Sequence, residues 1–170
     1  VDKLAMRPKN IPQTEVKKLG ILGAGFMGSG IAYVSAMAGI EVVLKDVSIE
    51  GTEKGKDYSR NLVKKGIEKG KTTAEKGEAL LSKIKATESV DDLKGCDLII
   101  EAVFENRDLK ATVTKESEPM LIDGGVFSSN TSTLPISGLA KASAKPENFI
   151  GIHFFSPVDK MMLVELIRGK

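Results

Sequence analysis

The sequence reads as a doubly wound, mostly parallel α/β sheet with a helical hairpin inserted after its second strand. Three features predict it. Short apolar runs of strand length alternate with helix-length segments along the chain. A glycine-rich turn, Gly23-Ala24-Gly25-Phe26-Met27-Gly28, separates the first run from the first helical segment. An acidic residue, Asp46, closes the second run, at the carboxyl edge where such sheets hold their ligands.

The elements follow in order. Residues 1–17 are polar, contain Pro8 and Pro12, and read as a linker or lead-in, leaving one domain over residues 18–170. Lys18-Leu19-Gly20-Ile21-Leu22 is a buried parallel strand. Residues 27–38 are small and apolar without proline, a helix lying close on a sheet, and Gly39 stops it. Glu41-Val42-Val43-Leu44-Lys45-Asp46 is β-branched at its centre and forms the second strand. Ser48 caps the next helix, which enters a lysine-rich hairpin broken up by Gly66, Gly70 and Gly77. A short strand is expected over residues 84–86 and the strongest one over residues 97–103. A helix from Arg107 to about Met120, a strand over 126–129 and a short helix over 135–142 come next. Strands over 149–155 and 162–167 complete the set.

Composition narrows the class. With 170 residues, 41% hydrophobic and 28% charged, the chain supports one core and is not wholly disordered. The single cysteine, Cys96, excludes an internal disulfide and a cysteine-rich zinc site, and the single histidine, His153, excludes a metal centre of paired histidines. No apolar run approaches the ~18 residues of a membrane span, so no transmembrane segment is expected. The first residues lack a secretory pattern and a starting methionine, which leads us to expect a processed chain or a piece of a longer one.

Charge is uneven. Residues 54–85 hold ten Lys or Arg against four acids, a net +6, leaving −4 on the rest of the chain. The plain reading is a solvated helical hairpin. The sharper one is a surface for a polyanionic small molecule. Nucleic acid is not expected, because Tyr58 is the segment's only aromatic residue.

The glycine turn fits G-x-G-x-x-G in its proper setting, after a strand and before a helix. Gly23 permits the tight turn, Gly25 lets backbone approach a pyrophosphate, and Gly28 lets helix and strand pack closely. The helix N-terminus supplies N–H groups and a favourable dipole for the phosphates. Asp46 accepts hydrogen bonds from ribose hydroxyls and repels a 2′-phosphate, and Val47 offers no counter-charge for one. That pattern favours NAD over NADP. A glycine-rich turn in another kind of α/β protein is the competing reading.

His153 falls at the end of a strand. There a neutral imidazole can take a proton from an alcohol as hydride leaves for a nicotinamide. Glu165, on the next strand, can meet its second ring nitrogen and fix the tautomer. Asn130-Thr131-Ser132 ends another strand at the same edge and can hold the substrate oxygen. A satisfied core histidine is the plain alternative.

These stretches together resemble the NAD-binding domain of L-3-hydroxyacyl-CoA dehydrogenases, a Rossmann-type unit, most of all the form within multifunctional fatty-acid β-oxidation enzymes. The matching residues are Gly23-Ala24-Gly25-Phe26-Met27-Gly28-Ser29-Gly30-Ile31-Ala32, Ile100-Glu101-Ala102-Val103-Phe104-Glu105-Asn106, Ser129-Asn130-Thr131-Ser132-Thr133-Leu134-Pro135-Ile136, Gly151-Ile152-His153-Phe154-Phe155-Ser156-Pro157-Val158 and Leu163-Val164-Glu165. The resemblance implies NAD-dependent oxidation of (S)-3-hydroxyacyl-CoA to 3-oxoacyl-CoA. His153 is then the base, Glu165 its partner, and Ser132 a hydroxyl near the reacting oxygen and nicotinamide. Met27 and Asp46 touch the adenosine half of NAD, while Val103, Phe104, Glu105 and Lys110 line the cofactor site. The hairpin meets coenzyme A.

It also implies a longer parent that oligomerises and carries an enoyl-CoA hydratase part. A bacterial-type cytoplasm is the expected address, with a mitochondrial or peroxisomal parent as the alternative. An all-helical domain, expected beyond Lys170, completes the cleft and supplies a catalytic asparagine. This chain alone is therefore expected to be weakly active or inactive. One departure is Ser156, where many relatives carry asparagine. Two other classes stand beside this reading. One is a nucleotide- or CoA-binding module of the same fold without catalysis. The other is a hydroxyacid dehydrogenase of a different family, whose catalytic lysine after the sheet is not found here.

Overall fold

The computed structural model describes residue 10 and residues 14–170. Most of the expected lead-in, with Pro8 and Pro12, lies outside the described residues. In chain order the elements are β1 (Lys18–Leu22), α1 (Phe26–Met37), β2 (Glu41–Lys45), α2 (Ile49–Glu68), α3 (Ala74–Ser82), β3 (Ile84–Thr87), β4 (Cys96–Glu101), α4 (Arg107–Ser117), β5 (Leu121–Ser129), α5 (Ile136–Leu139), β6 (Phe149–Phe154) and β7 (Val164–Ile167).

The seven strands form one sheet in the order β3-β2-β1-β4-β5-β6-β7. Pairings from β3 through β6 are parallel, and β7 returns antiparallel on β6. The chain winds outward from β1 in one direction and from β4 in the other. This reversal opens a crevice beyond the carboxyl ends of β1 and β4. The doubly wound, Rossmann-type class read from the sequence is the one observed.

Alternation along the strands sorts side chains onto two faces. Leu19, Ile21, Val42, Leu44 and Ile100 join Ile31, Ala32 and Ala36 of α1 in one core. Leu22, Val43, Ile99 and Phe127 join Ile136 and Leu139 of α5 in the other. Cys96 belongs to the second core, where burial pushes its thiol up to about 11. It is a packed residue with little thiolate.

Two glycines fix the start of α1. Gly23 has φ +96°, in the left-handed region. A Cβ built on Gly28 would lie 1.8 Å from the Gly23 carbonyl oxygen. Only hydrogen fits between turn and helix there.

Several boundaries differ from expectation for local reasons. Gly66 and Gly77 do not break the hairpin: α2 runs through Gly66, and Gly77 sits inside α3 because a Cβ there would come 2.4 Å from Val63 Cγ1. Gly70, at φ +66°, turns the chain between the helices. Ser48 caps α2 as expected, its hydroxyl accepting from Gly51 N at 3.1 Å. Helix α4 ends at Ser117, before Met120, because Pro119 has no N–H to continue the helix and its ring would clash with the preceding turn, so Glu118–Met120 form a 3-10 turn. Strand β5 begins at Leu121, five residues before the expected start, with Gly124 at φ +75° absorbing a register shift between Cys96 and Leu98 on β4. The short helix over 135–142 divides into α5 and a 3-10 turn.

The Gly28 contact gives a direct test. Gly28→Ala should lower the unfolding free energy by about 1–3 kcal/mol, read as a lower urea midpoint. An unchanged midpoint would show that the helix start tolerates a side chain.

Candidate functional site

At the switch point a cleft of about 370 Å³ opens, with Gly25, Met27, Asp46, Val103 and Phe104 among its walls. A Cβ on Gly25 would meet nothing within 4 Å. The turn therefore offers bare backbone to the cleft. No side chain among the described residues caps α1, so the N–H groups of its first turn remain for an anion. Asp46 is held from both sides: Oδ2 accepts from Ala24 N at 2.6 Å and Oδ1 from Val47 N at 2.7 Å. Each oxygen keeps a lone pair for a further donor. Phe26, Val47 and Phe104 are exposed apolar residues around this charge. A dinucleotide fits these features: open backbone for a pyrophosphate, a carboxylate for hydroxyls, and apolar walls for a flat base.

Beneath the cleft lies a buried ion pair. Glu101 ends β4 fully buried, and Lys110 of α4 is 1% exposed. Lys110 Nζ lies 2.7 Å from Glu101 Oε1. Glu101 also accepts from Val103 N at 2.8 Å and from Ser129 Oγ at 2.7 Å. Burial pushes the Glu101 carboxyl above its ordinary range, against the pull of the Lys110 charge and these donors. Lys110 donates further to the carbonyls of Asn130 at 3.3 Å and Val103 at 3.5 Å, and lies 3.4 Å from Glu105 Oε2.

Glu105 itself faces the turn after β5. Its Oε1 accepts from the Thr131 hydroxyl, from Ser132 N at 3.1 Å, and from Thr133 N and Oγ1 at 3.3 and 3.2 Å. Burial alone would raise this carboxyl. The Thr131 hydrogen bond, the Lys110 charge and the backbone donors outweigh it and hold it below the usual range.

The third group sits where β5 and β6 end and β7 begins. The antiparallel register places Glu165 opposite His153. Glu165 Oε2 lies 2.9 Å from His153 Nδ1, and Ser132 Oγ lies 3.4 Å from Nε2 on the other side. With Nδ1–H donating to the carboxylate, Nε2 keeps its lone pair and faces the Ser132 hydroxyl. The Phe155 ring lies 4.5 Å from the imidazole, centre to centre. Asn130 Oδ1 accepts from Phe154 N at 3.0 Å, tying the Ser132 turn to the strand that carries His153. Such a line can accept a proton at Nε2, hold the resulting charge against Glu165, and place a hydroxyl beside the reacting oxygen.

Residues 18–170 match the family described as "3-hydroxyacyl-CoA dehydrogenase, NAD binding domain". The chain belongs to this family. It is 46% identical over 156 residues to the fatty acid oxidation complex subunit alpha of Idiomarina loihiensis, covering 92% of this chain and 22% of that protein. The counterpart from Pseudomonas putida is 44% identical over the same shares. The structure is similar to (S)-3-hydroxybutyryl-CoA dehydrogenase from Ralstonia eutropha, with TM-score 0.87 and 41% identity over 91% of this chain and 55% of that one. The dehydrogenase part of multifunctional enzyme 1 from C. elegans superposes with TM-score 0.77 at 28% identity, over 90% of this chain and 35% of that one. The chain thus spans about a fifth of the length of the curated relatives it matches.

Against the 3-hydroxyacyl-CoA dehydrogenase pattern, the structure brings Gly23, Gly25, Met27, Asp46, Val103 and Phe104 to one cleft. Gly28 packs behind that cleft, against Gly23. His153, Glu165 and Ser132 form one line beside it. Lys110 and Glu105 are different: buried Lys110 supports the cleft wall through the Val103 carbonyl instead of presenting its charge, and the Glu105 carboxylate faces the turn after β5. The hydrogen bonds of Glu105 to the turn after β5, and of the Asn130 side chain to Phe154 N, were not read from the sequence. The polar run Asn130-Thr131-Ser132-Thr133, too polar for a strand end without acceptors nearby, was the available signal.

Replacing Lys110 with methionine leaves the buried Glu101 charge unpaired. Lys110→Met should destabilise the fold by about 3–5 kcal/mol at neutral pH. The loss should shrink as pH falls, because a carboxyl raised by burial takes up its proton before the unfolded chain does. Denaturant melts at several pH values check both the size and the sign.

Proposed function

We propose that this chain supplies the NAD site and the acid–base group for oxidation of (S)-3-hydroxyacyl-CoA to 3-oxoacyl-CoA in fatty-acid β-oxidation. The observation that carries the reading is the Ser132–His153–Glu165 line beside the glycine cleft, with His153 flanked on both ring nitrogens. When bound, NAD supplies the hydride acceptor for the substrate's carbinol carbon. Every other part of the chemistry falls to side chains and backbone of the protein. Gly25 and the first turn of α1 hold the pyrophosphate, while Asp46 takes ribose hydroxyls and repels a 2′-phosphate. His153 Nε2 takes the proton of the 3-hydroxyl, and Glu165 steadies the imidazolium. Ser132 Oγ steadies the substrate oxygen. Its 3.4 Å separation from Nε2 is of the loose kind that tightens around a substrate.

The relatives' greater length supports a parent chain in which an all-helical domain completes the cleft, an enoyl-CoA hydratase part is joined to it, and subunits associate. The +6 hairpin then faces the phosphates of coenzyme A, and the bacterial relatives support a cytoplasmic address. Among the described residues no helix is long and apolar enough to cross a membrane.

Calorimetric titration with NADH and an acetoacetyl-CoA reduction assay on the full-length protein test this reading. His153→Gln should leave NADH affinity nearly unchanged and lower turnover by about 10²–10⁴-fold. NADH should bind more tightly than NADPH, and Asp46→Ala should narrow that gap. Undetectable NADH binding by folded protein overturns the cofactor assignment. NADH binding with no turnover by the full-length enzyme favours a binding module instead.

A further inference from the structure

The cleft and the catalytic line are built from different strands, yet Ser132 must sit within reach of His153 while the cofactor lies against Val103 and Phe104. Lys110 bridges the two regions through the Val103 and Asn130 carbonyls, and it also holds Glu105. Glu105 lies on the loop after β4, directly beyond Phe104 of the cleft wall, and its Oε1 gathers four donors from residues 131–133. These include the Ser132 backbone N–H itself.

We infer that Glu105 is a positioning residue: anchored by buried Lys110, its carboxylate sets the turn that aims Ser132 Oγ at His153 Nε2. This assignment rests on the proposed dehydrogenase reaction and adds to it a residue that acts through Ser132.

The turn is gripped at two points. On one side Asn130 is locked to the sheet: its N donates to Glu101 O at 2.7 Å, its carbonyl accepts from Lys110, and its side chain accepts from Phe154 N. On the other side, Glu105 closes the turn from residue 131 to residue 133. Thr131 is 4% exposed, and its hydroxyl also accepts from Leu134 N at 2.9 Å, so the Glu105 contact sets the whole turn. Lys110 Nζ, 3.4 Å from Oε2, holds the far oxygen.

Charge is required as well as shape. One oxygen receives only donors and the other faces an ammonium group. An amide in place of the carboxylate would turn an NH2 toward one of them, whichever way it flips. Glu105 follows Phe104 of the cleft wall in the chain while its carboxylate holds residues 131–133, so the β4 loop and the Ser132 turn are tied through one residue.

The test uses the full-length enzyme and two readouts. In Glu105→Gln, hydrogen–deuterium exchange over residues 131–134 should quicken about tenfold, and kcat should fall on the order of 10–10²-fold. In a Ser132→Ala background, the same substitution should cost little more, because its effect passes through the missing hydroxyl. Thr131→Val removes one donor and leaves the carboxylate in place. It should give a smaller version of both effects even where Glu105→Gln folds poorly. Unchanged exchange in this segment, or losses that multiply in the double variant, overturn the assignment. If the wild-type enzyme shows no turnover, the reaction reading falls, and exchange alone decides the positioning role.

Discussion

The carboxyl edge of this sheet depends on one charge with almost no access to water. Glu101 closes β4 in a place where a lone carboxylate would cost several kcal/mol. Its partners make it tolerable: an ammonium at 2.7 Å, a serine hydroxyl and a backbone N–H. Each partner belongs to something else that matters. Val103 lines the glycine cleft, Ser129 ends the strand that leads into the Ser132 turn, and Lys110 brings α4 onto the sheet. A buried pair of this kind is weak support for stability as such. Its value here lies in fixing three segments by directional bonds that apolar packing could not supply.

The cofactor half of the site was legible because its determinants are local. Strand, glycine turn, helix, second strand and Asp46 lie within 29 residues, from Lys18 to Asp46, and local backbone geometry brings the turn and Asp46 to one cleft. The His153–Glu165 pair was legible for a related reason: two adjacent strands with polar ends bring such residues together. The network of Glu101, Glu105, Lys110 and Asn130 was not. Several of its contacts join residues 20 or more positions apart across a parallel crossover, such as Lys110 to Asn130 and Glu105 to Thr133. No periodicity marks them, and the resemblance that sets Lys110 at the cofactor site says nothing of its burial beneath it.

The hairpin shows the opposite error. Its glycines were read as breaks, yet Gly77 is a packing residue that lets α3 lie against Val63 of α2. The buried face of α2 is itself made of small residues, Thr52, Gly55, Ser59 and Val63. Their spacing of three or four puts them on one stripe, and their size lets the helix sit tightly beside α1. The charge that dominates the composition of this segment is on the other face. Composition described the surface, while a few small side chains decided the fold.

The antiparallel return of β7 has a consequence of its own. Among the described residues β7 is the sheet's outermost strand, joined on one side only, and its four residues include Leu166 at 69% exposure. Edge strands open in local fluctuations that leave a core intact. Glu165 rides on that strand, whereas His153 sits one strand further in. On warming, the imidazole would lose its orienting carboxylate while the glycine cleft kept its shape. The glycine cleft would then outlast the His153–Glu165 pair.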